Sequence, residues 1–389
     1  METGVIDRPA IKRFQTCATD AREAVRAFHA GVAQPDLALV TFFCSNEYDL
    51  DVLAREMQAA FGDVPVIGCT TAGEIGAAGY RTLSLTGASF PASQFSVAIG
   101  RIGELQQFDS ARGQAFAKDL LLELQKKSPQ SNDRNSFGLL MVDGLSVREE
   151  SVIRAFQRAL GSIPVVGGSA GDGLRFAKTC VYCDGAFHND SAVLLLATTM
   201  LPFTPFKTQH FAATDERMVV TDADGDHRIV KEINGLPAAA EYARILGIDA
   251  GALDPGSFAA FPIVVMIDGT NYVRSIQKAN PDGSLTFFCA IENGLVLRVA
   301  KGVDLLQNLT ETFTEIEADV GPPQLVIACD CILRKLEISQ SPVKDQVVAL
   351  LQRNNVVGFA TYGEQFNGVH VNQTLVGIAI GAPLEGVDG

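Results

Sequence analysis

Two glutamates, Glu74 and Glu364, close the same short phrase at distant places in the chain, PVIGCTTAGE at 65–74 and VVGFATYGE at 356–364. The two copies align without a gap: Gly68 with Gly358, Thr71 with Thr361, Gly73 with Gly363, Glu74 with Glu364. A third copy, PVVGGSAGD at 164–172, aligns with a one-residue deletion and ends on Asp172. Carboxylates at matched positions either face a shared cleft or cap nearby backbone. Glycine permits positive φ and close backbone approach, and free N–H groups in such loops can hold an anion. No copy has the GxGxxG spacing that opens a dinucleotide-binding helix, and none carries the lysine of a phosphate loop. Each glycine taken singly reads first as a structural turn. Thr71, Gly73, Glu74, Thr361, Gly363 and Glu364 are the candidate ligand-binding residues.

The five histidines are His29, His188, His210, His227 and His370. None has HExxH or other paired metal-ligand spacing, so no metal site is expected. His29, late on a first helix, and His227, in the acidic turn DADGDH, read as surface residues. His210 lies in KTQHF between Phe206 and Phe211, just after the proline-spaced LPFTPF (201–206), read as a linker or lid. A histidine among aromatics in a movable segment suits an axial haem ligand. His370, in GVHVNQT, and His188, in FHND, stand at strand starts and look more like scaffold. Each is more often structural than ligating when taken alone.

Arg334 follows CDC (329–331) by three residues. At a strand end facing the third glycine loop it can clamp a carboxylate or a haem propionate, or pair with Glu364. Cys180 and Cys183 of CVYC would point to opposite faces of a strand, whereas Cys329 and Cys331 would share one. Buried cysteines are the plainer reading of both. The lack of CxxCH excludes covalent c-type haem. No nucleophile–base pair or GxSxG motif stands out, so the chain is read as a binding protein and not an enzyme.

The elements that must position these residues repeat as well. LALVTFFCS (37–45), FGLLMVDG (137–144) and QLVIACDC (324–331) read as buried strands. Each precedes an amphipathic helix, with apolar spacing at Leu50, Leu53, Met57 and Phe61 in the first, over 149–160 in the second and over 343–351 in the third. The glycine phrase and further strands follow each helix. Between the second and third units, 218–235 reads as a hairpin, 236–246 as a helix, 261–268 and 285–291 as strands, and 303–320 as a helix. The fold class is α/β in the mixed α+β sense: repeated strand–helix–strand units in mixed sheets, in two domains. The expected boundaries are an N-terminal helical extension (1–36), a first domain (37–235) and a second (236–389).

The 389 residues are 47% hydrophobic, enough for two cores. The net charge of −14 and the lack of a basic run argue against nucleic acid and anionic membrane as partners. No apolar stretch is long enough for a membrane helix, and no leader pattern is read at the N-terminus. A cytoplasmic protein with reduced, mostly buried thiols is expected from its eight scattered cysteines.

Taken together, PVIGCTTAGEIG, VVGGSAGDG, VVTDADGDHRIVKEINGLPAAAEYA, CDCILRKLE and VVGFATYGEQFNGVHVNQTLVGIAIG resemble the FIST-domain sensory proteins over roughly residues 37–380. The TQHF and CDCILRKLE segments incline the resemblance toward the stand-alone bacterial nitric-oxide-sensing branch, NosP. The resemblance implies b-type haem, nitric oxide as ligand, and a separate histidine kinase as partner; from their own settings His210 is the first choice to ligate the iron, with His370 and His188 behind it, and Arg334 to hold a propionate. The resemblance also implies effects on cyclic-di-GMP signalling or biofilm, and is compatible with a homo-oligomer. The rival reading is a haem-free module for an amino acid or similar metabolite, lined by the glycine loops, Glu74, Glu364 and Arg334.

Overall fold

Strands that are apolar on both faces need cover on both sides, and this chain supplies it three times. The computed structural model describes residues 10–267 and 270–383. The first module runs β1 (Lys12–Thr16), α1 (Ala21–Val32), β2 (Leu37–Ser45), α2 (Leu50–Phe61), β3 (Val66–Thr71), a hairpin of β4 (Glu74–Gly76) and β5 (Gly79–Arg81), and β6 (Leu85–Pro91). The second runs β7 (Phe95–Gly103), α3 (Ser110–Lys127), β8 (Ser136–Val142), α4 (Glu149–Leu160), β9 (Val165–Ser169), the hairpin β10 (Val181–Cys183) and β11 (Ala186–His188), and β12 (Ser191–Thr199).

The third module starts with β13 (Phe203–Thr208) and is then interrupted by an inserted lobe. That lobe holds β14 (Phe211–Asp224), β15 (Ile229–Ile233), β16 (Leu236–Pro237), α5 (Ala238–Leu246), α6 (Pro255–Ala260), β17 (Ile263–Ile267), β18 (Thr270–Arg274), β19 (Ile276–Ala279), β20 (Leu285–Phe287) and β21 (Val296–Gly302). The module resumes with α7 (Leu305–Val320), β22 (Leu325–Cys331), α8 (Ile332–Gln340), α9 (Lys344–Arg353), β23 (Val356–Thr361), the hairpin β24 (Glu364–Phe366) and β25 (Val369–Val371), and β26 (Leu375–Ile380). Side-chain carboxylates of Asp20, Asp49, Asp109 and Asp304 cap the first turns of α1, α2, α3 and α7.

The three modules share one strand order, β1-β6-β2-β3, β7-β12-β8-β9 and β13-β26-β22-β23, with the last pair parallel in each. Each hairpin leaves its own module and extends the sheet of another. β4–β5 adds to β23, β10–β11 to β3, and β24–β25 to β9. The exchange closes a ring with pseudo-threefold symmetry. Inner faces of all three sheets, including Phe43, Ile67, Leu139, Met141, Ile327 and Phe359, fuse into one core, where Phe43 stacks on Phe359 at 4.6 Å. Paired helices cover each outer face: α1 and α2, α3 and α4, α7 and α9. The inserted lobe has its own core, between an eight-stranded sheet and helices α5 and α6.

The repeated glycine has a steric cause. Gly68, Gly167 and Gly358 oppose Phe42, Leu140 and Ala328 across the parallel pairs. A Cβ there would lie 2.5, 2.0 and 1.8 Å from the carbonyl oxygens of those neighbours. The three glycines therefore hold equivalent places, as the repeated phrase predicts.

Three sequence readings need correction. Residues 10–36 are no bare helical extension, because β1 pairs with β6 over Lys12–Thr16 and α1 packs on the first sheet; residues 1–9 lie outside the described residues. The 201–212 segment is no lid: Phe203–Thr208 pairs in register with six residues of β26. The alignment of Asp172 with Glu74 and Glu364 fails by register. Glu364 pairs with Gly168 and Glu74 with Phe359, and the residue that pairs with their counterpart Cys69 is Val181. The second copy carries extra chain between its loop and its hairpin, so no carboxylate stands at that place.

Candidate functional site at the module ring and its seam

The three glycine loops meet at the pseudo-axis. Their backbones bond in a cycle: Thr70 N–H donates to Cys180 O at 2.9 Å, Ser169 N–H to Gly363 O at 2.9 Å, and Ala360 N–H to Gly73 O at 2.7 Å. These amides answer one another, so the loops do not present a free anion nest. Glu74 and Glu364 lie beside this ring, both fully buried. Glu74 accepts from Thr71 Oγ1 and from Ser84 Oγ at 2.8 Å. Glu364 accepts from Thr374 Oγ1 at 2.7 Å and Thr374 N–H at 3.1 Å. Of the two sequence readings, capping is the one observed, for both carboxylates. Thr361 Oγ1 instead ties the ring together, donating to Ser169 O at 2.7 Å.

Burial pushes Glu74 up to about 7, against the hydrogen bonds from Thr71 and Ser84 and the charge of Lys335. Burial likewise pushes Glu364 well above the carboxylate range. Lys335 Nζ donates to Ala72 O at 2.6 Å, and burial lowers its pKa.

Arg334 sits wholly inside, not at a cleft. Its Nε donates to Asp330 at 2.8 Å, and its Nη1 to His210 Nδ1 at 2.7 Å. Tyr80 donates to the other Asp330 oxygen. His210 Nε2 meets both carboxylate oxygens of Glu337, at 2.8 and 3.0 Å. The imidazole is therefore neutral, accepting at Nδ1 and donating at Nε2, and burial holds its pKa below the usual value. This chain ties the first module's hairpin to α8 and to the exit of β13.

A second polar cluster lies where the inserted lobe meets the ring. Arg228 Nη2 bonds Glu149 at 2.6 Å and also Glu150, both in the first turn of α4. Glu150 in turn accepts from Ala290 N–H at 2.6 Å. Ser275 Oγ donates to Gln373 at 3.1 Å, and Gln373 Nε2 to Ala259 O at 2.9 Å. Phe176, Phe288 and Tyr362, from the second module, the lobe and the third module, pack as neighbours at 4.7–6.0 Å. On the hairpin itself, Gln365 Nε2 lies 3.3 Å from His370 Nδ1. Beyond that contact a set of buried atoms lacks any partner: His370 Nε2, Asn372 Nδ2, Gln365 Oε1 and Arg274 Nε. His370 Nε2 and Asn372 Nδ2 converge on Gly363, lying 2.6 and 3.1 Å from where its Cβ would be. Burial lowers the His370 pKa.

Sequence reasoning named His370, Glu364 and Arg334 but missed Gln365, Asn372, Arg274, Arg228, Glu149, Glu150, Asp330 and Glu337. Glu149 and Glu150 looked like ordinary acidic residues at a helix start. The only available signal for Gln365 and Asn372 was their place in GEQFNGVHVNQT, which offers no chemical spacing.

Haem can be tested against these positions. Both His210 ring nitrogens are taken, by Arg334 and Glu337. The His370 ring edge packs against Gly363, whose Cβ would fall 2.2 Å from Cε1, leaving no width for a porphyrin. His188 Nε2 bonds Cys183 O at 3.2 Å, on an open groove of about 580 Å³ walled by Arg101, Glu104, Arg112, Asn189 and Asp190. Those walls are polar where a macrocycle needs apolar ones. The residues present do not fit an iron-ligating set. Among the described residues no cluster of three or more His, Cys, Asp or Glu could hold a metal ion. No helix there is long and apolar enough to cross a membrane. Seven of the eight cysteines are buried; Cys17 is exposed.

The FIST N domain matches residues 38–236, and the FIST C domain matches 238–367. The chain belongs to the FIST family. FIST domains are sensor domains of signal transduction. The second FIST region covers the later part of the inserted lobe and the third module from α7 to the first strand of its hairpin, whereas Arg228 and Glu149 both lie in the first region. No curated protein matches the chain. Among solved structures, one described as "Cyanuric acid hydrolase: evolutionary innovation by structural concatenation" is 10% identical with a TM-score of 0.32, covering 75% of this chain and 99% of that one. A likeness that remote transfers neither fold nor chemistry.

Proposed function

We propose that this FIST protein is a haem-free, non-enzymatic sensor of a small polar metabolite, seated on the face of the third hairpin that meets the inserted lobe. The observation that carries this reading is the group of buried polar atoms without partners on His370, Asn372, Gln365 and Arg274. An unpaired buried polar group costs about 1–3 kcal/mol, so four such atoms on neighbouring residues mark a seat completed by something outside the chain. Three are N–H donors and one is a carbonyl oxygen. That set matches a carboxylate with one adjoining donor, the chemistry of an amino acid or a related acid. Ligand in this seat touches the lobe through Arg274 and the ring through His370. It therefore favours one placement of lobe on ring, which a partner protein reads. A separate histidine kinase is the partner the family resemblance implies.

The test is a thermal-shift panel of amino acids and small carboxylic acids on the full chain, repeated with Asn372→Ala. At least one compound raises the Tm of the wild type in a saturable way and loses at least tenfold in affinity on the variant. Haem-based nitric oxide sensing is the competing outcome. Protein from haem-supplemented cells that shows a Soret band moving with nitric oxide establishes that outcome and removes this one.

A further inference from the structure

A cleft of about 220 Å³ opens between α6 of the inserted lobe and α8 of the third module, lined by Gly256, Ala259, Ala260, Leu336, Glu337 and Gln340. We propose that it is a second ligand site, for a primary alkylammonium on a short aliphatic body, and that it is distinct from the seat on the third hairpin. Glu337 supplies the negative charge of this cleft. Its side chain is 27% exposed, while the His210 side chain behind it is 0% exposed. Both carboxylate oxygens share the single Nε2 proton of that imidazole. Because His210 accepts from Arg334 at Nδ1, it gives Glu337 a hydrogen bond but no counter-charge. The nearest buried cation, Arg334, lies behind the ring and bonds Asp330 at 2.8 Å. The acceptor sites turned toward the cleft remain for a cation.

Two further features select the same ligand. The cleft is lined by the last turn of α8, Glu337 to Gln340, and by the end of α6 at Ala259 and Ala260. Helix C-termini carry partial negative charge, which favours a cation. Ala259, Ala260 and Leu336 add methyl and methylene surface suited to a few carbons, and Gln340 and Ser341 are the other polar residues of the lining. The volume is below that of a drug-sized pocket, so the ligand is small. A single carboxylate with one amide and one hydroxyl beside it falls short of the six to eight oxygen ligands that a calcium ion takes.

Ethylammonium, titrated into protein carrying labelled histidine at constant ionic strength, serves as the probe, with ethanol as its uncharged counterpart. The expected result is a saturable displacement of the His210 ring signal by ethylammonium and none by ethanol. Glu337→Gln weakens the effect at least tenfold. Ala260→Leu fills the cleft but keeps the Glu337 carboxylate and its bond to His210; it abolishes the response while leaving the resting His210 signal in place. His370→Ala leaves binding here intact, which separates this site from the one on the third hairpin. No saturable displacement, an equal response to ethanol, or full binding in Ala260→Leu overturns the proposal.

Discussion

Glu74 is the residue whose environment makes the sharpest claim about pH. Burial raises it from 4.5 to about 7. The charged and titratable groups around it are Lys335, Cys44, Cys69 and Tyr48. Since the folded-state value lies above the unfolded one, the folded protein holds the extra proton between them. Stability from this residue is therefore highest at low pH, declines as pH rises from 4.5 toward 7, and stays reduced above. Glu74→Gln removes the titration. Its stability relative to the wild type, from urea unfolding, should rise by up to about 3 kcal/mol between about pH 5 and about pH 8. An offset that does not change with pH contradicts the burial argument. Glu364 at the matched position was equally legible, since the ungapped repeat marks both. Asp172 was not, because letters alone cannot show that the second copy inserts residues before its hairpin. Its carboxylate instead accepts from the amides of Phe176, Ala177 and Lys178, each at 2.8 Å.

Among the elements, those with a strong period were readable and those defined by a distant partner were not. The helix over 149–160 matches α4 to the residue, because Val152, Ala155, Phe156 and Leu160 mark one face. The β1 strand KRFQT has no such pattern, since it is an edge strand with one buried residue. Likewise LPFTPF reads as a proline-rich link until β26 is beside it, and proline is tolerated there because β13 is an edge. Amide exchange checks this: the non-proline amides of 203–208 that bond β26 should exchange as slowly as those of the central strands, whereas a lid would exchange fast. The glycines give a mutational test. Gly358→Ala places a methyl 1.8 Å from Ala328 O and should cost at least about 2 kcal/mol or prevent folding. Gly256→Ala, where the nearest atom lies 3.4 Å away, should be neutral or stabilising by about 1 kcal/mol. Similar losses for both would remove the steric explanation of the repeat.

At the scale of the whole molecule, a ring closed by exchanged hairpins carries one inserted lobe, and Arg228 is the buried pin between them. Arg228→Ala leaves Glu149 and Glu150 without their cation and should cost about 3–5 kcal/mol. Calorimetry should then resolve two transitions, lobe before ring, where the wild type shows one. The exchange of hairpins could not be read from the sequence, because each hairpin's own module and its host sheet are equally apolar. Nor could the seat on the third hairpin, whose residues come from the ring and the lobe and meet only once the chain is folded. The most direct test of the central claim is native mass spectrometry of the full chain purified from haem-supplemented cells. The account predicts either the bare chain mass or the chain with a small-metabolite adduct that is lost in Asn372→Ala. A stoichiometric adduct with the mass of haem contradicts it.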